Sequence, residues 1–272
     1  MNDIFVSNEE QDVDVPLPIQ KIDNDSVIYY PVDLPSVGSL GYSERMKYRD
    51  VMVKDEKLLA VATADTYQEI MDKILYSLLE DPSDYEKLSI HDRDYLLIWI
   101  WANTYTTIKE YEVSCKHCGV TGNSVVDITK LNVENLSDDY IPDFELPLSK
   151  TGEVVKLNLL TVADERKVVN YLDGLDDEGD YINTLMTQSI TFEKQMTLEQ
   201  KLKYVAENVK GKEMGIIRAF HKHFKFGIDN KVKYKCSQCA GVTEYEFPFS
   251  VDFFIPEVQR DFERLLSSNK KV

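Results

Sequence analysis

The chain lacks any long apolar run and has few basic residues. Its longest uninterrupted apolar stretch, Tyr95–Ala102 (YLLIWIWA), is far shorter than the roughly 20 residues that a membrane-spanning helix needs. Lys and Arg number 31 against 48 Asp and Glu, which gives a formal net charge of −17. This charge repels anionic membranes and the phosphates of nucleic acids, so we expect neither a membrane span nor a nucleic-acid partner.

Signals for secretion and for catalysis are also missing. The first residues, MNDIFVSNEEQDVDV, do not have the charged and then apolar layout of a secretory signal, so we expect folding in a reducing cytoplasm. The sequence has no Gly-rich phosphate loop, no nucleophile elbow and no His/acid/nucleophile grouping. We therefore expect a protein that is not an enzyme and has no small-molecule substrate.

Cysteine is scarce, and its placement is the most informative feature of the sequence. The chain has four cysteines, and they occur as two Cys-x-x-Cys pairs, in SCKHCGV and KCSQCAG. A knuckle, meaning Cys-x-x-Cys followed by Gly between two strands, directs two thiolates at one ion, and two knuckles supply the four ligands of tetrahedral zinc. The sequence thus predicts one structural Zn²⁺ per chain, with the ligands Cys115, Cys118, Cys236 and Cys239.

Other uses of the cysteine pairs fit less well. A thioredoxin-like redox pair opens a helix after a strand, whereas both pairs here are followed by β-type alternation. An iron–sulfur site and unrelated thiol roles stay open as alternatives. The second knuckle fits the pattern with Ala240 inserted before Gly241. Four thiolates leave zinc no open position, so the predicted site is structural and not catalytic.

Two stretches of the chain resemble each other, which indicates an internal duplication. Residues Asp33–Leu59 and Glu145–Val169 each combine an acidic-Leu-Pro start, a Gly-containing turn, an alternating segment and an Asp-Glu pair. Alternation around a Gly turn predicts a β-hairpin. The Asp-Glu pairs suit the first turn of a helix, where carboxylates meet the positive end of the dipole. A catalytic carboxylate pair is disfavoured because adjacent helical residues point in different directions.

Helices are predicted between each hairpin and the following cysteines. TYQEIMDKILYSLLE has one apolar face, and a second helix beginning near Ser89 is apolar on every side, as in a buried helix or a subunit contact. Thr197 begins a capping box before a helix that Gly211 ends. A further helix ends near Gly227, and its histidines, in FHKHF, suit the negative end of that helix.

Together these patterns predict an α+β fold built from an internally duplicated unit. The unit is a β-hairpin, then helices, then a Cys-knuckle hairpin, and the two knuckles join as a zinc ribbon. The predicted parts are an acidic flexible tail (1–27), the first repeat (28–135), the second repeat (140–256) and a C-terminal helix (257–272). The tail is either a solvated leader or a docking segment for a basic partner, and the last helix packs on its own core or on a partner.

Several of these residues resemble a known family. A Leu-Pro-Ser-x-Gly hairpin, Tyr48-Arg49 leading into Val53–Leu59 (VKDEKLL), two helices and the knuckle Cys115–Gly119 are similar to the baseplate hub family of T-even-like bacteriophages. That family includes the hub subunit and the hub assembly catalyst of contractile tails. The resemblance covers residues 28–130 in order and residues 143–255 more loosely.

The resemblance implies a non-enzymatic structural or assembly component of the baseplate hub of a contractile phage tail. Its expected partners are other tail and hub proteins, with the tape-measure protein among the candidates. Its expected locations are the host cytoplasm during assembly and the tail baseplate of the virion. One alternative is a tail assembly chaperone that binds the tape-measure protein and is absent from the mature virion. Another is a zinc-ribbon nucleic-acid binder, which the net charge disfavours.

Overall fold

The computed structural model describes residues 27–59, 66–105, 107–173 and 181–247. The predicted acidic tail (1–27, apart from Val27) and the predicted C-terminal helix (257–272) lie outside the described residues. The domain boundaries at 28–135 and 140–256 stay predictions.

The first half of the chain runs from one hairpin through three helices to a second hairpin. Its elements are β1 (Tyr30–Asp33), β2 (Arg45–Tyr48), α1 (Val53–Leu59), α2 (Tyr67–Leu78), α3 (Ile90–Thr104), β3 (Ile108–Ser114), β4 (Thr121–Asp127) and β5 (Val133–Glu134). Asp55 and Glu56 lie in the first turn of α1, so the predicted hairpin and the acidic helix start are both confirmed.

The second half also runs from a hairpin through helices to a second hairpin, with four helices and the short strands β8 and β9 before that hairpin. Its elements are β6 (Phe144–Pro147), β7 (Val154–Leu157), α4 (Val162–Leu172), α5 (Tyr181–Gln188), β8 (Ile190–Thr191), α6 (Leu198–Asn208), α7 (Gly211–His223), β9 (Gly227–Ile228), β10 (Lys231–Lys235) and β11 (Val242–Glu246). Asp164 and Glu165 lie in the first turn of α4, and the capping box at Thr197 is present with Gln200.

The strands form small antiparallel sheets, and the fold is therefore α+β as predicted. In the described part of the chain β1 pairs with β2, β3 with β4 and β10 with β11, while β6, β7 and β8 form a three-stranded sheet. One further pair, β5 with β9, joins the two halves. Each hairpin is too small to be stable alone, so its stability depends on packing against helices or another hairpin.

The helix with apolar residues on every side is α3, and it is buried within the chain. It begins at Ser89, whose hydroxyl accepts a hydrogen bond from the backbone N–H of His91. Leu96, Ile100 and Trp101 are nearly inaccessible to solvent. The core of the first half is built around α3, and it also includes Val162 and Phe247 of the second half.

The prediction for Gly211 is wrong. The preceding helix α6 already ends at Asn208, and Gly211 is the first residue of α7. Glycine tolerates both positions because it has no side chain to clash at either helix end. The second half thus has two consecutive helices that meet at residues 209–210.

The two halves meet along a seam formed mainly by the start of α3 and the start of α4. The backbone of Ile90 donates to the carbonyl of Leu160 (3.1 Å), and the backbone of Val162 donates to the carbonyl of Leu88 (2.9 Å). Phe226 of the second half contacts the ring of His91, with ring centroids 4.9 Å apart. The halves therefore share backbone hydrogen bonds as well as side-chain contacts.

A buried ion network crosses this seam. Arg93 of α3 forms ion pairs with Asp72 of α2 (3.4 Å) and with Glu165 of α4. The Arg93 side chain is only 4% exposed, and Asp72 and Glu165 are about 10% exposed. A third partner, Asp94, lies 2.9 Å away and is more exposed. Tyr85 donates to Asp72 and Tyr181 to Glu165, each at 2.8 Å. Nearby carboxylates hold the pKa of Arg93 well above its usual value despite burial, so this cation is the counter-charge for both halves.

We expect Arg93→Leu to lower the free energy of unfolding by about 3–5 kcal/mol, because it removes the buried cation that pairs with Asp72 and Glu165. Urea denaturation followed by tryptophan fluorescence measures the loss.

Arg45→Leu is the matched control. Arg45 pairs with Asp33 on the surface, where both side chains are more than 60% exposed, so solvent screening leaves that pair little effect on stability. Equal losses for the two variants would contradict a special role for the buried network.

Candidate metal centre

The four cysteines lie at the ends of two hairpins that pack against each other. Cys115 and Cys118 are in the turn between β3 and β4, and Cys236 and Cys239 are in the turn between β10 and β11. The inner faces of the hairpins form a small apolar cluster whose buried members are Val113, Tyr234 and the two first cysteines. Hairpin packing therefore brings together two turns that are more than a hundred residues apart in sequence.

The two knuckle turns have the same backbone hydrogen bonds. The N–H of Cys115 donates to Val120 O (2.9 Å), and the N–H of Gly119 donates to Cys115 O (2.9 Å). The second knuckle repeats this pattern: Cys236 N–H donates to Gly241 O (2.9 Å), and Ala240 N–H donates to Cys236 O (3.0 Å). The turns are thus equivalent residue by residue.

This equivalence corrects the prediction that Ala240 is an insertion. Ala240 has φ +55° and takes the place of Gly119, which has φ +72°. Gly241 accordingly takes the place of Val120 and not of Gly119. A residue with a β carbon is strained in this left-handed region, so the second knuckle tolerates a backbone conformation that suits glycine better.

All four sulfur atoms converge on one point. Every Sγ atom lies within 4.8 Å of every other. Two of the separations, Cys115 to Cys239 and Cys118 to Cys236, are both 3.7 Å and cross from one knuckle to the other. A tetrahedron of sulfurs at the usual zinc–sulfur distance has edges of about 3.8 Å. This spacing is compatible with a metal ion bound by four thiolates.

Burial divides the cysteines in the same way in both knuckles, and the first cysteine of each pair has a lowered pKa. The first cysteine of each pair is buried and the second is exposed. The pKa of Cys115 is lowered to about 6, because the backbone N–H groups of His117 and Cys118 donate to its thiolate. The pKa of Cys236 is lowered by the equivalent N–H groups of Cys239 and Gln238. The turns thus stabilise the thiolate form, which is the form that binds metal.

Further hydrogen bonds run between the knuckles beside the sulfurs. The backbone N–H of Lys116 donates to Thr243 Oγ1 (3.1 Å), and the Lys116 ammonium donates to Glu244 O (3.0 Å). Sequence reasoning missed these contacts, because nothing in the pattern of one hairpin indicates which residue of the other it meets.

Among the described residues, the four cysteines form the only group of three or more His, Cys, Asp or Glu with spacing suited to a metal.

The histidines of α7 have roles other than metal binding. His221 is partly buried, its ring hydrogen-bonds to Ser189 Oγ (2.8 Å), and loss of hydration lowers its pKa to about 4. His223 is exposed and lies 3.0 Å from an Asp139 oxygen.

A family model for the T4 bacteriophage base plate protein matches residues 27–255 of the chain. The match spans most of the sequence and includes both knuckles. The chain belongs to the T4 bacteriophage base plate protein family. No curated protein and no solved structure matches it significantly.

Membership of this family makes the chain a component of the phage tail, with other baseplate proteins as its partners. The resemblance seen in the sequence is thereby confirmed at the level of the baseplate family. Within the part of the chain that the structure describes, none of the helices has both the length and the apolar character needed to span a bilayer.

The structure explains one of the motifs that the baseplate resemblance depended on. Arg49 donates two hydrogen bonds to the carboxylate of Asp55, at 2.7 and 3.0 Å. The same carboxylate accepts from the backbone N–H of Met52 (2.9 Å) at the start of α1. Both side chains are largely buried. The ion pair between Arg49 and Asp55 therefore attaches α1 to the first hairpin. This part of the motif has a structural role.

A cleft of about 650 Å³ opens on the seam of this baseplate protein. Its charged walls consist largely of side chains that pair with one another: Arg166 with Glu86 and Asp72, and Lys73 with Glu69. These ion pairs extend the buried network of Arg93 to the surface, which supports a stabilising role for the carboxylates that line the cleft.

We expect Ala240→Gly to raise the free energy of unfolding of the baseplate protein by about 1 kcal/mol, because it relieves a left-handed backbone strain. Thermal or urea unfolding measures the change.

The matched reverse substitution is Gly119→Ala. A β carbon at residue 119 meets no atom within 4 Å, so backbone strain is its main cost and we expect a loss of similar size. Changes of the same sign in both variants would contradict the equivalence of the two turns.

Proposed function

We propose that this baseplate protein is a non-enzymatic structural or assembly component of the tail hub, held together by one structural Zn²⁺ per chain. The observation that carries the proposal is the convergence of four thiols from both halves of the chain, in a protein whose family belongs to the baseplate. Four thiolates complete the tetrahedral shell of zinc, so the ion has no open position for a substrate.

Zinc is the metal that best fits this donor set. Thiolate ligands favour zinc and iron–sulfur clusters over hard cations such as Mg²⁺ and Ca²⁺. The sulfur separations of 3.7 Å match the edge of a zinc–thiolate tetrahedron. Both knuckles also present N–H donors to the first cysteine of the pair, as outer-shell groups do around structural zinc. The residues present therefore fit the metal that the sequence predicted.

The same site supports an internal duplication. Each half has a hairpin, a helix that begins with an acidic pair, further helices and a knuckle hairpin. The knuckle turns correspond residue by residue in their hydrogen bonds. The additional helix in the second half accounts for its longer spacing between the acidic pair and the cysteines. In this proposal the ion lies between the two repeats and forms a zinc ribbon from one knuckle of each.

Zinc in this position joins the hairpin ends, where little apolar area is available. The apolar cluster between the hairpins has only four buried members. In small zinc peptides, metal binding contributes on the order of 10–16 kcal/mol to folding. An ion bound by both hairpins thus supplies the main stabilisation where the knuckles meet, in addition to the ion network at the seam.

We expect the purified protein to contain about one zinc per chain, measured by inductively coupled plasma mass spectrometry. Cys236→Ser should lose the metal and lower the thermal unfolding midpoint, because it removes a buried ligand. Ser237→Ala, an exposed neighbour in the same knuckle, should keep both. The zinc proposal would be contradicted if the wild-type protein contained no zinc, or if Cys236→Ser had the same thermal unfolding midpoint as the wild type.

The hub role has a separate test. We expect mass spectrometry of purified phage particles to detect the protein in the tail baseplate, since a structural component stays in the virion. Pull-down from infected cells should recover other hub proteins. If the particles lack the protein while the pull-down recovers the tape-measure protein, the alternative of a tail assembly chaperone replaces the structural role.

A further inference from the structure

Two glycines of the knuckle hairpins lie directly against aromatic rings of the opposite hairpin. A β carbon at Gly241 would lie 2.6 Å from His117 Cδ2 and 2.9 Å from His117 Cγ. A β carbon at Gly122 would lie 2.2 Å from the hydroxyl oxygen of Tyr234. These separations are shorter than any tolerated van der Waals contact, so each ring occupies space that only a glycine leaves free.

The arrangement is reciprocal. His117 belongs to the first knuckle and lies over Gly241 of the second, whereas Tyr234 belongs to the second hairpin and lies over Gly122 of the first. Neither of these two glycines has a positive φ, so close approach and not backbone conformation is the reason for glycine at both. Each hairpin thus inserts one ring into a gap in the other.

The His117 ring also has a polar contact across the interface. Its Nε2 lies 3.1 Å from the carbonyl oxygen of Val242, to which it donates. The same β carbon at residue 241 would meet Cys239 Sγ at 3.2 Å. In sequence His117 lies between Cys115 and Cys118. In the structure it also lies near Cys239, which belongs to the second knuckle.

We propose that His117 and Tyr234 are positioning residues of the metal centre, and that they hold the two cysteine pairs at coordination distance before the metal binds. The inference rests on the proposed metal site and adds to it the contacts that preassemble the thiols. His117 acts through the hairpin backbone and is not a ligand. Tyr234 belongs to the same buried cluster as Cys115 and Cys236, so in this proposal its ring helps to fix the hairpins that carry the two buried sulfurs.

The second knuckle supplies a natural control. Gln238 stands in its knuckle where His117 stands in the first, between the two cysteines. Its side chain is exposed. Gln238 has the same sequence spacing to Cys236 and Cys239 as His117 has to Cys115 and Cys118. Removal of its side chain leaves the contact between His117 and Gly241 unchanged.

The test is zinc affinity, measured by competition with a chromophoric chelator on the full-length protein. We expect His117→Ala and Gly241→Ala each to weaken zinc binding about 10-fold to 100-fold, the usual effect of losing an outer-shell partner. Gln238→Ala should bind like the wild type. Wild-type affinity in both His117→Ala and Gly241→Ala would overturn the inference.

A double substitution separates positioning from general destabilisation. In the His117→Ala background the ring is gone, so the methyl group of Gly241→Ala keeps only its 3.2 Å approach to Cys239 Sγ. The double variant should therefore bind zinc much more tightly than two additive losses would give, and close to His117→Ala alone. Two fully additive losses would overturn the inference, because they would show that the residues act independently.

Cobalt substitution tests whether His117 is a ligand. The tetrathiolate absorption bands of the Co²⁺ protein should be the same in His117→Ala as in the wild type, whereas a changed spectrum would make His117 a ligand and overturn its positioning role. Wild-type protein that binds neither Zn²⁺ nor Co²⁺ would instead overturn the metal proposal. Detection of the protein in particles is unaffected by either result.

Discussion

The structure depends on one convergence: two hairpins from opposite halves of the chain bring four thiols within 4.8 Å of one another. Each hairpin alone has too little apolar area to be stable. Their contact combines a small apolar cluster, two rings placed over two glycines, and hydrogen bonds from Lys116 to the opposite strand. An ion at the centre of the sulfurs would make this arrangement much harder to separate than its apolar contacts alone.

At the seam the two halves are joined by a different kind of interaction. Arg93 is buried between Asp72 of its own half and Glu165 of the other. Buried ion pairs gain less net stability than their Coulomb energy suggests, since the charges lose hydration, but removal of one partner is costly. Docking that brings Glu165 to Arg93 thus joins a carboxylate of the second half to the buried cation of the first.

Local structure could be predicted well from sequence. The hairpins, the acidic helix starts of α1 and α4 and the capping box at Thr197 all follow from patterns within a few residues. The errors came where a local pattern allowed two conformations. Gly211 begins a helix and does not end one, because glycine is compatible with either end. Ala240 looked like an insertion, since its sequence does not show that it adopts the left-handed conformation of Gly119.

The sequence by itself determined the α+β class of the protein, its baseplate family and the four thiols that are compatible with a metal ion. The net charge, the two Cys-x-x-Cys pairs and the baseplate motifs are all readable along the chain, because composition and short spacings are local properties. Only the tertiary structure decided which sulfurs are neighbours, since Cys115 meets Cys239 across 124 residues. It also decided that Arg93 finds its partner Glu165 72 residues away, and that His117 lies over Gly241. These contacts depend on how the two halves pack. Short sequence patterns do not show which residues of two distant elements come into contact.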